Sequence, residues 1–351
     1  MHLKKILKYT VGFTIPICAA LAISFGGIWV FLTPFYAFFF LAALEMLMPL
    51  SKKNMSEIEE EVNKKDPVYD WMLYLNVPVQ FGLLFYFLYT ISHQQLYWWE
   101  LSGLILSMGI CCGVIGINVA HELGHRKSIF ERFLAKSLLL TSLYMHFIIE
   151  HNKGHHKKVG TEHDPSSALL NENIYAFYFR TIFGSIKSAR EIQKSELQAD
   201  AKKTISFSNE LLLFFIIELF FIIITAILFE WQTAIFFIIA SIIGILLLES
   251  VNYIEHYGLR RKIAPSGNYE RVQPWHSWNS DHMVGRLVLY ELTRHSDHHY
   301  LSSRKYQILR RLEEAPQLPA GYPAMILLSL VPPLFFKVMN PRVEKVMATH
   351  I

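Results

Sequence analysis

The chain has 351 residues, of which 52% are hydrophobic and only 18% charged, and its mean hydropathy is +0.28. Soluble domains carry more charge, so an ordinary globular enzyme is set aside until the long apolar stretches are accounted for. A net charge of +4 gives no argument for nucleic acid, and Cys18, Cys111 and Cys112 contain no CxxC pair, so neither a disulfide frame nor an iron–sulfur ligand set follows.

In chain order, six stretches are long and apolar enough to cross a bilayer, which takes roughly 17–25 residues. The first, 11–32, follows Lys4, Lys5 and Lys8 as a signal peptide would. Its apolar run is too long and lacks a small-residue cleavage site, so it reads as an uncleaved anchor. The second, 34–50, begins beside Pro34, which predicts a tight turn and a close-packed hairpin with the first. The mixed-charge segment 51–66 reads as a solvated loop or short helix. The spans 72–91 and 101–120 lead into a polar stretch, 121–208; the spans 211–229 and 232–255 then lead into 256–351. Two further apolar segments read as helices packed on the cytoplasmic end or lying in the interface. One is 133–149, interrupted by Lys136, Ser137, Thr141, Ser142 and His146; the other is 322–338, with Pro332 and Pro333. The expected architecture is an all-α integral membrane protein, one domain over 1–351, with six transmembrane helices and a helical cytoplasmic cap made of 121–208 and 256–351.

Orientation follows from lysine and arginine. The turns near 33, at 92–100 and at 230–231 hold none, and all 33 basic residues lie at the N-terminus, in 51–71, in 121–208 or after 255. Positive-inside reasoning places both termini and both long loops in the cytoplasm, consistent with an even number of spans.

Nine of the 16 histidines fall in four groups, all on that side. His121 and His125 sit in HELGHR, where the fourth span ends. His151, His155 and His156 sit in EHNKGHH, His256 in NYIEHYG at the end of the sixth span, and His295, His298 and His299 in RHSDHH. Spacings of three and four put side chains on one helix face. Imidazole suits iron, copper, zinc and nickel, and nine such ligands are too many for one ion and suit two. His2, His93, His146, His163 and His350 read as ordinary core or surface histidines; His276 and His282, near the last group, stay open as supports. Glu122, Glu150, Glu255 and Asp297 each adjoin a clustered histidine, where a carboxylate can accept the second imidazole N–H. Glu249 and Asn252 share a face of the sixth span with His256, where an ionisable residue faces the interior or a cavity.

Taken alone, HELGH is a metalloprotease HExxH with Glu122 as base, but that reading leaves seven clustered histidines unexplained. A metal transporter would place ligands along a path through the midplane, whereas these gather on one face. Membrane desaturases and hydroxylases, which bind two metals through histidine boxes, remain.

Here the resemblance becomes specific. HELGHR, EHNKGHH, NYIEHYGLRR and the run WHSWNSDH–LYELTRHSDHH resemble the signature stretches of the alkane 1-monooxygenase family of membrane di-iron hydroxylases, within the fatty-acid desaturase/hydroxylase superfamily. APQLPAGYP and VPPLFFKVMNPRV resemble it too, so the similarity runs from about Ala120 to Val343. Desaturase boxes include a final HxxHH but lack NYxEHYG. The resemblance implies terminal hydroxylation of alkanes by two non-haem irons with O₂. It implies the nine clustered histidines as the iron ligands, and electrons from rubredoxin, itself reduced by a rubredoxin reductase. The three cysteines cannot supply a rubredoxin site, so the carrier is separate and docks on the cytoplasmic face of the bacterial inner membrane. Fatty-acid desaturation, fatty-acid hydroxylation and attack on related alkyl or aromatic methyl groups are the alternatives. Asp281, Glu291 and His163 depart from the family's usual residues, while Arg126 keeps the basic residue after the first box. Trp29, Phe35, Tyr36, Phe38, Phe39 and Phe40 are candidates either for lining a substrate channel or for facing lipid.

Overall fold

The computed structural model describes residues 7–350; His2, Lys4 and Lys5 lie outside the described residues. Among the described residues the chain is all helical, with isolated bridges and no strand. Six helices are long and apolar enough to cross a membrane: Lys8–Phe25, Gly27–Leu47, Pro67–His93, Trp98–Gly124, Glu210–Phe229 and Trp231–His256. The protein is an integral membrane protein.

The first turn departs from expectation. The chain reverses at Gly26 and Gly27, both in the left-handed region with φ of 58° and 51°, rather than beside Pro34. Glycine enters that region without a Cβ clash. Pro34 instead lies inside the second span, where it has no N–H for the carbonyl of Val30. That carbonyl is satisfied from outside its own helix: the Ser107 hydroxyl donates to it at 3.0 Å.

The chain forms two compact units. The first comprises residues 1–37, 67–150 and 189–248, and the fourth span is its most enclosed helix. Glycines let its neighbours approach, as is usual where helices associate in lipid. A Cβ on Gly103 would meet Val30, one on Gly109 would meet Ile243, and one on Gly113 would meet Leu247. Between Cys112 and Ile117 the fourth span widens into a π turn, and the Ser142 hydroxyl donates to the Cys112 carbonyl at 3.0 Å. The Gln80 side-chain amide donates a hydrogen bond to the Thr141 hydroxyl at 3.2 Å. The segment 133–149 is not a span: an amphipathic helix, Ile129–Leu140, capped by Ser128, ends in irregular backbone with Leu143 at positive φ.

The second unit comprises residues 38–66, 151–188 and 249–351. Segment 51–66 contributes a helix, Glu57–Lys65, begun by a Ser56 capping box. Arg310 holds that helix by a two-pronged ion pair to Glu60 at 2.7 and 2.6 Å, and Arg294 donates to the Lys53 carbonyl. The apolar C-terminal segment forms two helices, Tyr322–Ser329 and Pro332–His350, bent by 120°. The break precedes Pro332 and Pro333, whose fixed φ suits a helix start and whose missing N–H groups cost nothing there. Of the early aromatics, Trp29, Phe35, Phe39 and Phe40 are exposed on the helix surfaces, which is the lipid-facing arrangement.

Candidate metal centre

The clustered histidines of the second unit divide into two sets, and the division cuts across the sequence motifs. His151 to His155 form a π turn, followed at once by a short α turn, His156–Lys158. A π turn advances five residues per bond ring rather than four. It therefore brings Nε2 of His151 and His156 to 3.0 Å, five residues apart, and turns His155 elsewhere. His298 joins the first set, its Nε2 lying 3.1 Å from that of His156. The second set is His155, His256, His295 and His299, whose ligand nitrogens lie within 4.8 Å of one another. His295 and His299 are i and i+4 on the short helix His295–Tyr300, while His298 on the same helix faces the first set.

These contacts are not hydrogen bonds in any consistent scheme. Nε2 of His295 lies 3.1 Å from Nε2 of His256, 2.9 Å from Nε2 of His299 and 3.2 Å from Oε2 of Glu255. One ring nitrogen carries at most one hydrogen. Lone pairs converging on a cation account for all three, because ligands bonded at about 2.1 Å with angles near 90–109° sit roughly 3.0–3.4 Å apart. Burial, reinforced by the imidazoles of His156, His295 and His155, pushes His299 well below the usual histidine range. The ring is thus neutral, as a metal ligand must be.

Behind the ligands lie the orienting groups. Asp164 accepts from Nδ1 of His155 at 3.0 Å and from the Ser167 hydroxyl at 2.5 Å. Burial alone would raise the Asp164 carboxyl, but the His155 imidazole and Ser167 outweigh it and hold it below the ordinary range. Ser277 Oγ lies 3.4 Å from Nδ1 of His256. Glu249 accepts from Thr181 at 2.8 Å and from Asn252 at 3.1 Å, so these two sixth-span residues form one buried polar cluster. Asp297 does not turn toward an imidazole: it accepts from the Arg310 amide at 2.7 Å and lies 3.3 Å from Arg304. His276 pairs with Glu270 and His282 with Ser280, outside both sets.

In the first unit, His121 and His125 close the fourth span with ring centroids 5.0 Å apart. Glu122 forms an ion pair with Arg126 at 2.6 Å, which also explains the basic residue after the first box. Glu150 is buried at the end of a short helix.

A family model for fatty acid desaturases matches residues 96–329. The alkane 1-monooxygenase of Pseudomonas putida is 41% identical over 287 residues, covering 81% of this chain and 71% of that protein. The chain belongs to the alkane 1-monooxygenases. Alkane 1-monooxygenase 2 of Alcanivorax borkumensis is 44% identical over 242 residues, 69% of this chain and 63% of that protein. The xylene/toluene monooxygenase hydroxylase component of Pseudomonas putida is 27% identical over 334 residues, covering 94% of this chain and 86% of that one. An oxygenase family and buried imidazole sets are consistent with non-haem iron.

The residues that depart from the usual family pattern have local partners here. Asp281 pairs with Arg311 at 2.7 Å and Glu291 with Arg286 at 2.7 and 2.6 Å. Asp164 and Tyr322 carry site contacts that the motif reading did not single out. The only signal for Asp164 was its place in TEHDPSSA, nine residues beyond His155.

Proposed function

We propose that this chain hydroxylates the terminal methyl group of alkanes, consuming O₂, two electrons and two protons to release the 1-alkanol and water. The carrying observation is the convergence of the buried imidazole nitrogens, in a chain 41% identical to an alkane 1-monooxygenase. His151, His156 and His298 would hold one iron, and His155, His256, His295 and His299 would hold the second; the resemblance of HELGHR to the family's first box implies His121 and His125 as further ligands. Two bound irons supply the O₂ and one-electron chemistry that no side chain has. An unactivated methyl group offers acid–base or nucleophilic catalysis nothing to act on.

The protein's own residues prepare that chemistry. Burial keeps the His299 imidazole neutral, and Asp164 fixes the tautomer of His155 so that Nε2 presents its lone pair. Electrons come from a separate rubredoxin reduced by its reductase, since Cys18, Cys111 and Cys112 are buried and too few for a thiolate site. The distribution of lysine and arginine supports a site, termini and carrier-docking face on the cytoplasmic side of the bacterial inner membrane. The chain is proposed to work as one membrane domain.

Cells expressing this chain with rubredoxin and its reductase, fed alkanes, alkylbenzenes and fatty acids together, decide the matter. Terminal alcohols from the alkanes are expected. Unsaturated fatty acids without alkanols would overturn the reading. Benzylic alcohols alone would favour the second reading, aromatic methyl hydroxylation, which the xylene/toluene relative supports.

A further inference from the structure

Two carboxylates touch the four-histidine set, from opposite sides of their imidazoles. Asp164 meets Nδ1 of His155, the outward nitrogen, which is where an orienting group belongs. Glu255 meets Nε2 of His295, the inward nitrogen that also faces His256 and His299. At 3.2 Å, Oε2 of Glu255 stands among the converging atoms at the same spacing as the nitrogens themselves. We infer that Glu255 is an oxygen ligand of the metal held by His155, His256, His295 and His299, rather than a group that orients a neighbouring imidazole. This rests on the two-iron reading above and extends its ligand set.

Three observations carry it. The carboxylate is 1% exposed, and among the described residues its contacts are the Tyr322 hydroxyl and His295, with no lysine or arginine in ion-pair reach. A buried carboxyl group with no cationic side chain beside it either keeps its proton or coordinates a metal, and here its free oxygen stands among converging imidazole nitrogens. The other oxygen is already committed: Oε1 accepts from Tyr322 at 2.6 Å. This anchor leaves Oε2 as the single arm aimed into the site. Finally, the four imidazoles are neutral ligands, so one carboxylate offsets part of the charge that a divalent or trivalent ion brings into a water-free space. The metal of the four-histidine set then carries a hard oxygen ligand beside its nitrogens.

The experiment uses the full chain purified in detergent with ⁵⁷Fe. Iron per chain and the Mössbauer spectrum are measured for the native protein, Glu255→Gln, Glu255→Ala with and without formate, and Tyr322→Phe. Native protein is expected to show two inequivalent irons. In Glu255→Ala the iron content should fall from about two per chain toward one, with one spectral component lost and the other unchanged, and formate should restore it. Tyr322→Phe should keep both irons and shift only that same component. Two irons with an unaltered spectrum in folded Glu255→Gln and Glu255→Ala would overturn the inference, as would an unshifted spectrum in Tyr322→Phe if the glutamate variants fail to fold. Native protein that binds no iron at all would instead refute the two-iron reading itself.

Discussion

Replacing Asp164 by asparagine removes the charge behind His155 while keeping the side chain's size. In the native chain Asp164 is 1% exposed, and its Oδ2 takes both His155 Nδ1 and the Ser167 hydroxyl, while Oδ1 accepts the Ser166 amide at 3.1 Å. An amide has one acceptor oxygen and one donor nitrogen, so it cannot serve all three donors: with its oxygen at the Oδ2 place the Ser166 amide is lost, and turned over it presents an NH2 to His155 and Ser167. Loss of a carboxylate behind a metal-bound imidazole weakens metal affinity about 10–100-fold, or about 1.4–2.8 kcal/mol. His155 belongs to the four-histidine set, so only one of the two metals should loosen. Titrating iron-loaded protein with a chelator and counting iron per chain should show two release steps, the first shifted to about 10–100-fold lower chelator strength in the variant. Asp164→Asn releasing iron as the native protein does, or shifting both steps equally, would refute the assignment of Asp164 as the support of one ligand in one set.

Three other outcomes follow from the same coordinates. His295→Ala and His298→Ala lie on one short helix but in different sets, so each should remove a different iron signal and spare the other; a common loss would mean that the sets are not separate. In metal-free protein, His276 is held down to about 4 by burial, and His299 is held well below the usual histidine range by burial and neighbouring imidazoles. Below pH ~6.5 the unfolded chain binds protons that the folded one refuses, so stability should fall with acidification by up to about 1.4 kcal/mol per pH unit for each such group. For His276 that loss runs from pH ~6.5 down to about 4, and Gln in its place should flatten the slope of thermal unfolding against pH. In the spans, Gly244→Leu puts its Cβ 2.6 Å from Cys112 Cβ and 3.0 Å from the Gly109 carbonyl, which should cost about 1–3 kcal/mol. Gly82→Ala, with nothing within 4 Å, should leave the melting temperature in detergent within a degree or so of native. Equal melting temperatures for the two variants would count against this packing.

Much of the fold was legible because a membrane span is a local property: length and hydropathy suffice to find it. All six spans are found where apolar runs of the right length occur. The first turn was misplaced because Pro34 looked like a terminator. Whether proline breaks a helix depends on what satisfies the orphaned carbonyl, and Ser107, more than seventy residues away, does so. The adjoining carboxylates show the same limit. Adjacency in sequence marked Glu122 and Asp297 as partners of imidazoles; Glu122 pairs with Arg126, and Asp297 accepts from the Arg310 amide beside Arg304.

By itself the sequence determined the class of protein and marked nine clustered histidines as candidates, since clustering, residue chemistry and span length are written in one dimension. Only the tertiary structure decided how histidines of a single motif are shared between two sets. A π turn separates His155 from His151 and His156, and on the helix His295–Tyr300 the ring of His298 belongs to a different set from those of His295 and His299. It also showed that Asp164 meets the outer nitrogen of His155 while Glu255 meets Nε2 of His295. Those choices depend on the direction of side chains brought together from distant segments, and neighbours in sequence do not encode it.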